Sequence, residues 1–221
     1  MKSGNLQTSD TFLLSAVLSL SGGLQDAYTY FQRGEVFANA QTGNVVLMSQ
    51  HFMRGQWAEG LHYLLPLAAF ILGVFVAEQI GHSHRGGRFH WRQLVLLIET
   101  PLLLLVGFLP TRYNMPANML VSFVCAMQVQ SFRKLRGNGY ASTMCIGNLR
   151  SATEHLSSFV REREKKELVT ALQYYGIILI FAVGAGLSAI LTGLLGLQTI
   201  WISCGLLLIA CVMMTKEHAL I

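Results

Sequence analysis

The chain has 221 residues, of which 52% are hydrophobic and only 12% charged, with a mean hydropathy of +0.47 and a net charge of +5. A soluble domain carries about 25% charged residues, so this composition excludes an ordinary soluble protein and reads as an integral membrane protein. The basic excess is no sign of nucleic-acid binding: no such motif is present, and membrane proteins gather Lys and Arg on cytoplasmic loops.

A spanning helix needs about 20 mostly apolar residues. Six stretches qualify, at about 11–32, 60–81, 92–110, 116–133, 168–194 and 197–215. The first has the look of a signal peptide, with Lys2 ahead of apolar 11–20 and then Ser21-Gly22-Gly23. It lacks a clear A-x-A site and has a counterpart at 120–132, so it is expected to stay in the protein. With the N-terminus in the cytoplasm, thirteen of the sixteen basic residues fall on the cytoplasmic side: Lys2, Arg85, Arg88, Arg92, Arg133, Lys134, Arg136, Arg150, Arg161, Arg163, Lys165, Lys166 and Lys216. Only Arg33, Arg54 and Arg112 fall opposite. This bias predicts six spans with both termini inside.

Within the first span Asp26 follows Gln25 and precedes Tyr28 and Tyr30. An ionisable group inside a span costs roughly 2.5–3.5 kcal/mol on insertion scales and usually faces a cavity or a partner. After the span comes a polar motif, Phe37-Ala38-Asn39-Ala40-Gln41-Thr42-Gly43-Asn44, leading into 44–53. Thr42 or Asn44 suits a helix cap, and Gly43 permits a tight turn or a close ligand. About a dozen residues at 1.5 Å rise are too short to cross, so this stretch is predicted to be a re-entrant or interfacial half-helix. Backbone groups exposed at its start are tolerated in a membrane only inside protein or along a wet cavity. There they favour an anion or a carbonyl oxygen.

The second span carries small residues at Ala69, Gly73, Ala77 and Gly81, and Glu78 near its cytoplasmic end, where it reaches water. The following loop holds His82, His84 and His90 among basic residues, and a solvated loop is favoured there over a metal site. The third span contains Glu99, a second carboxylate for proton or cation coupling or for locking helices together.

The fourth span begins a second copy of the pattern. Gln128 stands where Gln25 stands in the first, but Val129 replaces Asp26. The motif recurs as Thr143-Met144-Cys145-Ile146-Gly147-Asn148, so that Asn39 matches Thr143 and Thr42 matches Ile146. It runs into 148–160, where Leu149, Ala152, Leu156, Phe159 and Val160 fall near one helix face. The fifth span repeats the small-residue ladder at Gly184, Ser188, Thr192 and Gly196. Such i, i+4 ladders allow close helix approach, within the monomer or against a second copy. The four cysteines show no metal-ligand spacing and read as small buried residues.

Each half therefore contains three spans, an odd number, so the second enters the membrane from the opposite side. The predicted fold is a single all-α integral membrane domain, 1–221, of six transmembrane helices in a 3+3 inverted repeat, 11–110 and 116–215.

These motifs resemble those of the YoaK family of bacterial membrane proteins, a domain of unknown function. Gly23-Leu24-Gln25-Asp26-Ala27, the first motif with Thr42-Gly43-Asn44, and Thr143 through Gly147-Asn148-Leu149-Arg150 carry the resemblance, which covers nearly the whole chain. The family usually shows Thr before the second Gly-Asn, where this chain has Ile146. The resemblance implies a six-helix inner-membrane protein and brings no substrate.

The favoured function is a small secondary transporter or permease for a small polar or anionic solute, without cofactor or metal. Gln25, Asp26, Asn39, Thr42, Gly43, Asn44, Gln128, Thr143, Gly147 and Asn148 are the candidate binding residues, and Asp26 and Glu99 the coupling residues. The expected partners are the lipid bilayer, a small solute and a further copy of the chain, not nucleic acid. The alternatives are a lipid-directed membrane enzyme using Thr143, Cys145 and His155, and a non-catalytic assembly or sensor protein presenting 133–166.

Overall fold

The structure is a computed structural model that describes residues 10–83 and 91–218. His84 and His90, and with them most of the histidine-rich loop, lie outside the described residues, as do Lys2, Arg85 and Arg88. Eight α-helices are present among the described residues: α1 (Phe12–Gln32), α2 (Gln41–Met53), α3 (Trp57–Ser83), α4 (Trp91–Phe108), α5 (Asn114–Ser131), α6 (Cys145–Glu162), α7 (Lys165–Leu195) and α8 (Trp201–His218). Six of these coincide with the six expected spans. The other two, α2 and α6, stand where a half-helix of about a dozen residues is expected after each motif, but both begin within the motif, and α6, with 18 residues, is as long as α4, α5 and α8.

Three stretches are long and apolar enough to cross a membrane by length and composition: Trp57–Ser83, Trp91–Phe108 and Lys165–Thr215, the last taking in both α7 and α8. The helices α1 and α5 fall short because their buried faces are polar. Ser15, Ser19, Ser21, Gln25, Asp26 and Thr29 are buried on α1, and Asn118, Ser122, Gln128 and Ser131 on α5.

Local chemistry sets the breaks. Thr11 starts α1 by accepting a hydrogen bond from Leu14 N at 3.4 Å. Gly34 and Glu35 end it by turning at φ 88° and 59°, the left-handed region that glycine enters without strain. After α5 the chain makes a short hairpin, β1 (Lys134–Leu135) with β2 (Asn138–Gly139), whose turn residues Arg136 and Gly137 both have positive φ. Two positive-φ residues between paired strands suit the strand twist.

The packing exchanges partners between the halves. The helix α1 makes its most extensive contact with α7, and α5 with α3. The motif helices α2 and α6 pack on α3 and α7, and α4 packs on α8. Ala69, Gly73, Ala77 and Gly81 are all buried on α3, as are Gly184, Ser188 and Thr192 on α7. A Cβ on Gly73 would lie 2.4 Å from Phe123 O of α5, and one on Gly184 would lie 2.2 Å from Leu20 O of α1. Phe123 precedes Gln128 by the same five residues that separate Leu20 from Gln25. The ladders are thus used inside the monomer. Gly196 lies past the end of α7, with φ 55°.

The main apolar core joins α1, α4, α5 and α8 through Leu14, Leu18, Leu96, Leu103, Val124 and Leu207. The helix α6 is less simple than its sequence pattern. Ala152 packs with Leu135, Tyr174 and Ile177, but Leu149 and Val160 face outward together with Ile146, which is 85% exposed.

Candidate functional site

On α1 and its C-cap, Ser15, Ser19, Gly22, Asp26, Thr29 and Arg33 repeat at intervals of three and four and so line one helix face. The loop before α2 runs back along this face. Ala38 N donates to Thr29 Oγ1 at 3.2 Å, Asn39 N donates to Asp26 Oδ1 at 2.8 Å, and Asn39 Nδ2 donates to Gly22 O at 3.2 Å. Ala40 caps α2 without a side-chain bond of its own. The negative group that a helix start favours is therefore supplied by Asp26 from the neighbouring helix, where the sequence pattern suggested an anionic solute.

The second motif is held differently, because Val129 offers no carboxylate. Gln128 Nε2 donates to Ser142 Oγ at 2.9 Å and to Leu18 O at 3.2 Å, tying the loop before α6 to both α5 and α1. Thr143 is buried, and a Cβ on Gly22 would lie 2.6 Å from its Cγ2. Asn39 from the first motif and Thr143 from the second thus meet at Gly22.

The two motif asparagines do the same local work. Asn44 Oδ1 accepts from Phe37 N at 3.2 Å while its Nδ2 donates to Phe37 O at 2.6 Å. Asn148 Oδ1 accepts from Ala141 N at 3.2 Å while its Nδ2 donates to Ala141 O at 2.7 Å. Each reaches back seven residues to satisfy a half-buried peptide, rather than capping its helix or pointing at a ligand. Asn44→Ala and Asn148→Ala are each expected to cost about 1–3 kcal/mol, the loss of two hydrogen bonds of about 0.5–1.5 kcal/mol each. Melting of the purified protein in detergent measures this.

Thr42 and Gly147 are exposed on the outer sides of α2 and α6, away from Gly22, and Gly43 packs beside the Phe37 ring. Around the core, Gln25 Nε2 donates to Ser21 Oγ at 2.9 Å while its Oε1 receives the Cys125 thiol of α5 at 2.9 Å. Glu99 is fully buried on α4. Glu78 is exposed and accepts a short hydrogen bond from Gln130 Nε2.

Arg33, counted among the outside loop residues in the charge pattern, is fully buried. Its Nε donates to Tyr28 Oη at 2.9 Å, Nη1 to Leu109 O at 2.8 Å and Asn114 Oδ1 at 3.2 Å, and Nη2 to Val106 O at 2.6 Å. The carbonyl-rich end of α4 thus holds the guanidinium where a carboxylate would be expected, as the helix dipole allows. An arginine at a span end looks solvated in sequence, so only the packing discloses this role.

The groups assigned to an enzyme are not brought together. Cys145 and His155 are ten residues apart on α6, about 15 Å at 1.5 Å per residue. Burial, and then the Asp26 charge, push the Cys145 thiol up, opposite to what a reactive thiolate needs. His155 Nδ1 is paired with Glu167 Oε2 at 2.6 Å.

A family model described as a protein of unknown function (DUF1275) matches residues 14–213. The chain belongs to the DUF1275 family. The match runs from α1 into α8 and takes in both motif loops, Asp26 and Glu99. The UPF0700 transmembrane protein YoaK of Bacillus subtilis (strain 168) is 28% identical over 182 residues, 78% of this chain and 80% of its own length. The YoaK resemblance carried by the motifs therefore holds. No solved structure matches. This DUF1275 protein is an all-α chain with apolar helices of membrane-crossing length.

Proposed function

We propose that this DUF1275 protein is a small secondary transporter or permease of the cytoplasmic membrane that moves a small polar solute, with Asp26 carrying the coupling proton. In this reading the chain is not an enzyme. It crosses the bilayer six times as two inverted halves with both termini inside, and α2 and α6 enter from opposite faces. The exchanged packing of α1 on α7 and α5 on α3, and the two matched asparagine locks, support the inverted arrangement.

One observation carries the proposal: among the hydrogen bonds described above, the only fastening of the first motif loop that uses a charge is the one from the Asn39 amide to the Asp26 carboxylate. Hydrogen bonds to charged groups contribute roughly 1.5–3 kcal/mol against about 1 for neutral ones. Protonating Asp26 weakens the fastening by about 1 kcal/mol, roughly a factor of five in population. The Asn39 amide and the start of α2 then become available to a solute carbonyl or anion. Carboxylate and solute compete for one set of N–H groups, which couples proton uptake to solute binding. The second loop, held by Gln128, lacks this sensitivity.

Metabolite profiling and uptake in a deletion strain test the assignment. Asp26→Asn retains an acceptor for Asn39 N, so folding is expected to persist. Wild-type protein is expected to restore the profile, and Asp26→Asn at equal membrane levels to leave it unrestored. Full restoration by Asp26→Asn removes the coupling role.

A further inference from the structure

Beside the hairpin, the start of α7 borders a groove of about 310 Å³ lined by three cations: Arg136 of the hairpin turn, and Lys165 and Lys166 of α7. Asn138, Thr170 and Gln173 complete its polar lining, which contains no carboxylate. All three cations are exposed, and none has an ion pair among the described residues. Glu167, the acidic residue of the first turn, is instead paired with His155 of α6 at 2.6 Å. Cations in a first turn are opposed by the helix dipole, so the fold itself gains nothing from Lys165 and Lys166 there. Arg136 has a φ of 50°, a conformation that Gly or Asn adopts with less strain. The hairpin that carries it is fixed on both sides. Arg136 N donates to Asp10 O at 2.8 Å, and Tyr174 Oη of α7 donates to Gly139 O. The basic groove along α6 differs, because its cations are engaged. Arg150 is paired with Glu154 at 2.8 Å, and Arg161 donates to Ser157 Oγ at 2.8 Å and Ser158 Oγ at 3.1 Å.

The cationic groove opens into a second, of about 270 Å³, that shares Arg136, Val169 and Gln173 and adds Phe12 of α1 and Leu172. Val169 and Leu172 are 49% and 59% exposed. They begin an exposed apolar stripe that continues at Leu179, Val183, Leu187 and Ile190, at helical spacing on one face of α7. Because α7 opens a stretch apolar enough to cross a membrane, its charged first turn marks a water boundary. Cations at that boundary, with an apolar track leading away from them, match an amphiphile with an anionic head. A free phosphate or an acidic peptide would leave the track uncovered.

We propose that this groove binds one anionic phospholipid of the adjoining leaflet. Its phosphate lies among Arg136, Lys165 and Lys166, and an acyl chain follows Phe12, Val169 and Leu172. The guanidinium can take two phosphate oxygens at once, and the ammonium groups act as point charges. The site needs α7 to cross the bilayer and is independent of the transport reading.

Native mass spectrometry of the full chain in detergent, titrated with phosphatidylglycerol or phosphatidylcholine, tests the site. Wild-type protein should bind one phosphatidylglycerol more tightly than any further copy and more tightly than phosphatidylcholine. At about fivefold per charge, Arg136→Asn/Lys165→Gln/Lys166→Gln should weaken that first binding roughly a hundredfold. If the triple variant fails to fold, Lys165→Gln/Lys166→Gln decides alone, with a loss of roughly 25-fold. Leu172→Gln should also weaken it, through the acyl track. Arg150→Gln/Arg161→Gln, which removes two charges outside the groove, should leave it unchanged. Equal binding of the two lipids overturns the proposal, as does an affinity unaltered by the groove variants or lowered as much by the α6 control. Displacement of the lipid by millimolar inorganic phosphate would mark a small-anion site and overturn it too.

Discussion

Alanine at Gly73 or Gly184 is expected to destabilise the protein at or above the upper end of the ~1–3 kcal/mol typical of overpacking. The reason is the identity of the neighbours. A Cβ at Gly184 would lie 2.2 Å from Leu20 O and 3.0 Å from Leu20 C, and at Gly73 2.4 Å from Phe123 O and 2.8 Å from the Ala126 Cβ. Most of these are backbone atoms of a packed helix, so no side chain can rotate aside and the helices must separate. Gly186→Ala and Gly193→Ala, which meet nothing within 4 Å, are the controls. They are expected to be neutral or stabilising by up to about 1 kcal/mol from helix propensity. Melting in detergent ranks the four variants. The similarity of the two damaging effects reads out the matched α3–α5 and α7–α1 packing. Losses at Gly73 and Gly184 no greater than those of the controls would refute the close approach.

Arg33→Met should be nearly as damaging. Methionine fills much of the volume but donates nothing to Tyr28 Oη, Val106 O, Leu109 O or Asn114 Oδ1. Hydrogen bonds to a charged group contribute about 1.5–3 kcal/mol each. Because the losses overlap and Val106 O keeps its bond from Leu109 N, a total on the order of 4 kcal/mol is expected. Lysine should recover only part of this, since one ammonium cannot reproduce the planar fork that reaches both carbonyls and the phenol. Equal melting temperatures for wild type and Arg33→Met would remove the lock.

Apolar runs made α1, α3, α4, α5, α7 and α8 legible, and the repeated Gly-Asn pair pointed to α2 and α6, though not to the 18-residue length of α6. The duplication also disclosed the asymmetry that matters, Asp26 against Val129. What the motif residues do was not legible. The bond from Asn44 to Phe37 depends on a loop folding back seven residues, and the bond from Asp26 to Asn39 on that loop lying along α1. Thr42 looked like a cap, yet α2 begins without a side-chain cap and Thr42 faces outward. The convergence at Gly22 and the Gln25–Cys125 contact arise from packing between distant segments, which periodicity does not report. The hairpin did leave a signal, Arg136-Gly137-Asn138-Gly139, of the kind that favours tight turns.

The inverted arrangement of the halves is the claim on which the rest depends, and sided cysteine labelling tests it most directly. Gln50 on α2 and Ser157 on α6 are both exposed and lie in the two matched motif helices. With the four native cysteines replaced, Gln50→Cys is expected to react with a membrane-impermeant maleimide added outside intact cells. Ser157→Cys is expected to react only after the cytoplasmic face is opened. Labelling of both positions from the same side would contradict the inverted repeat.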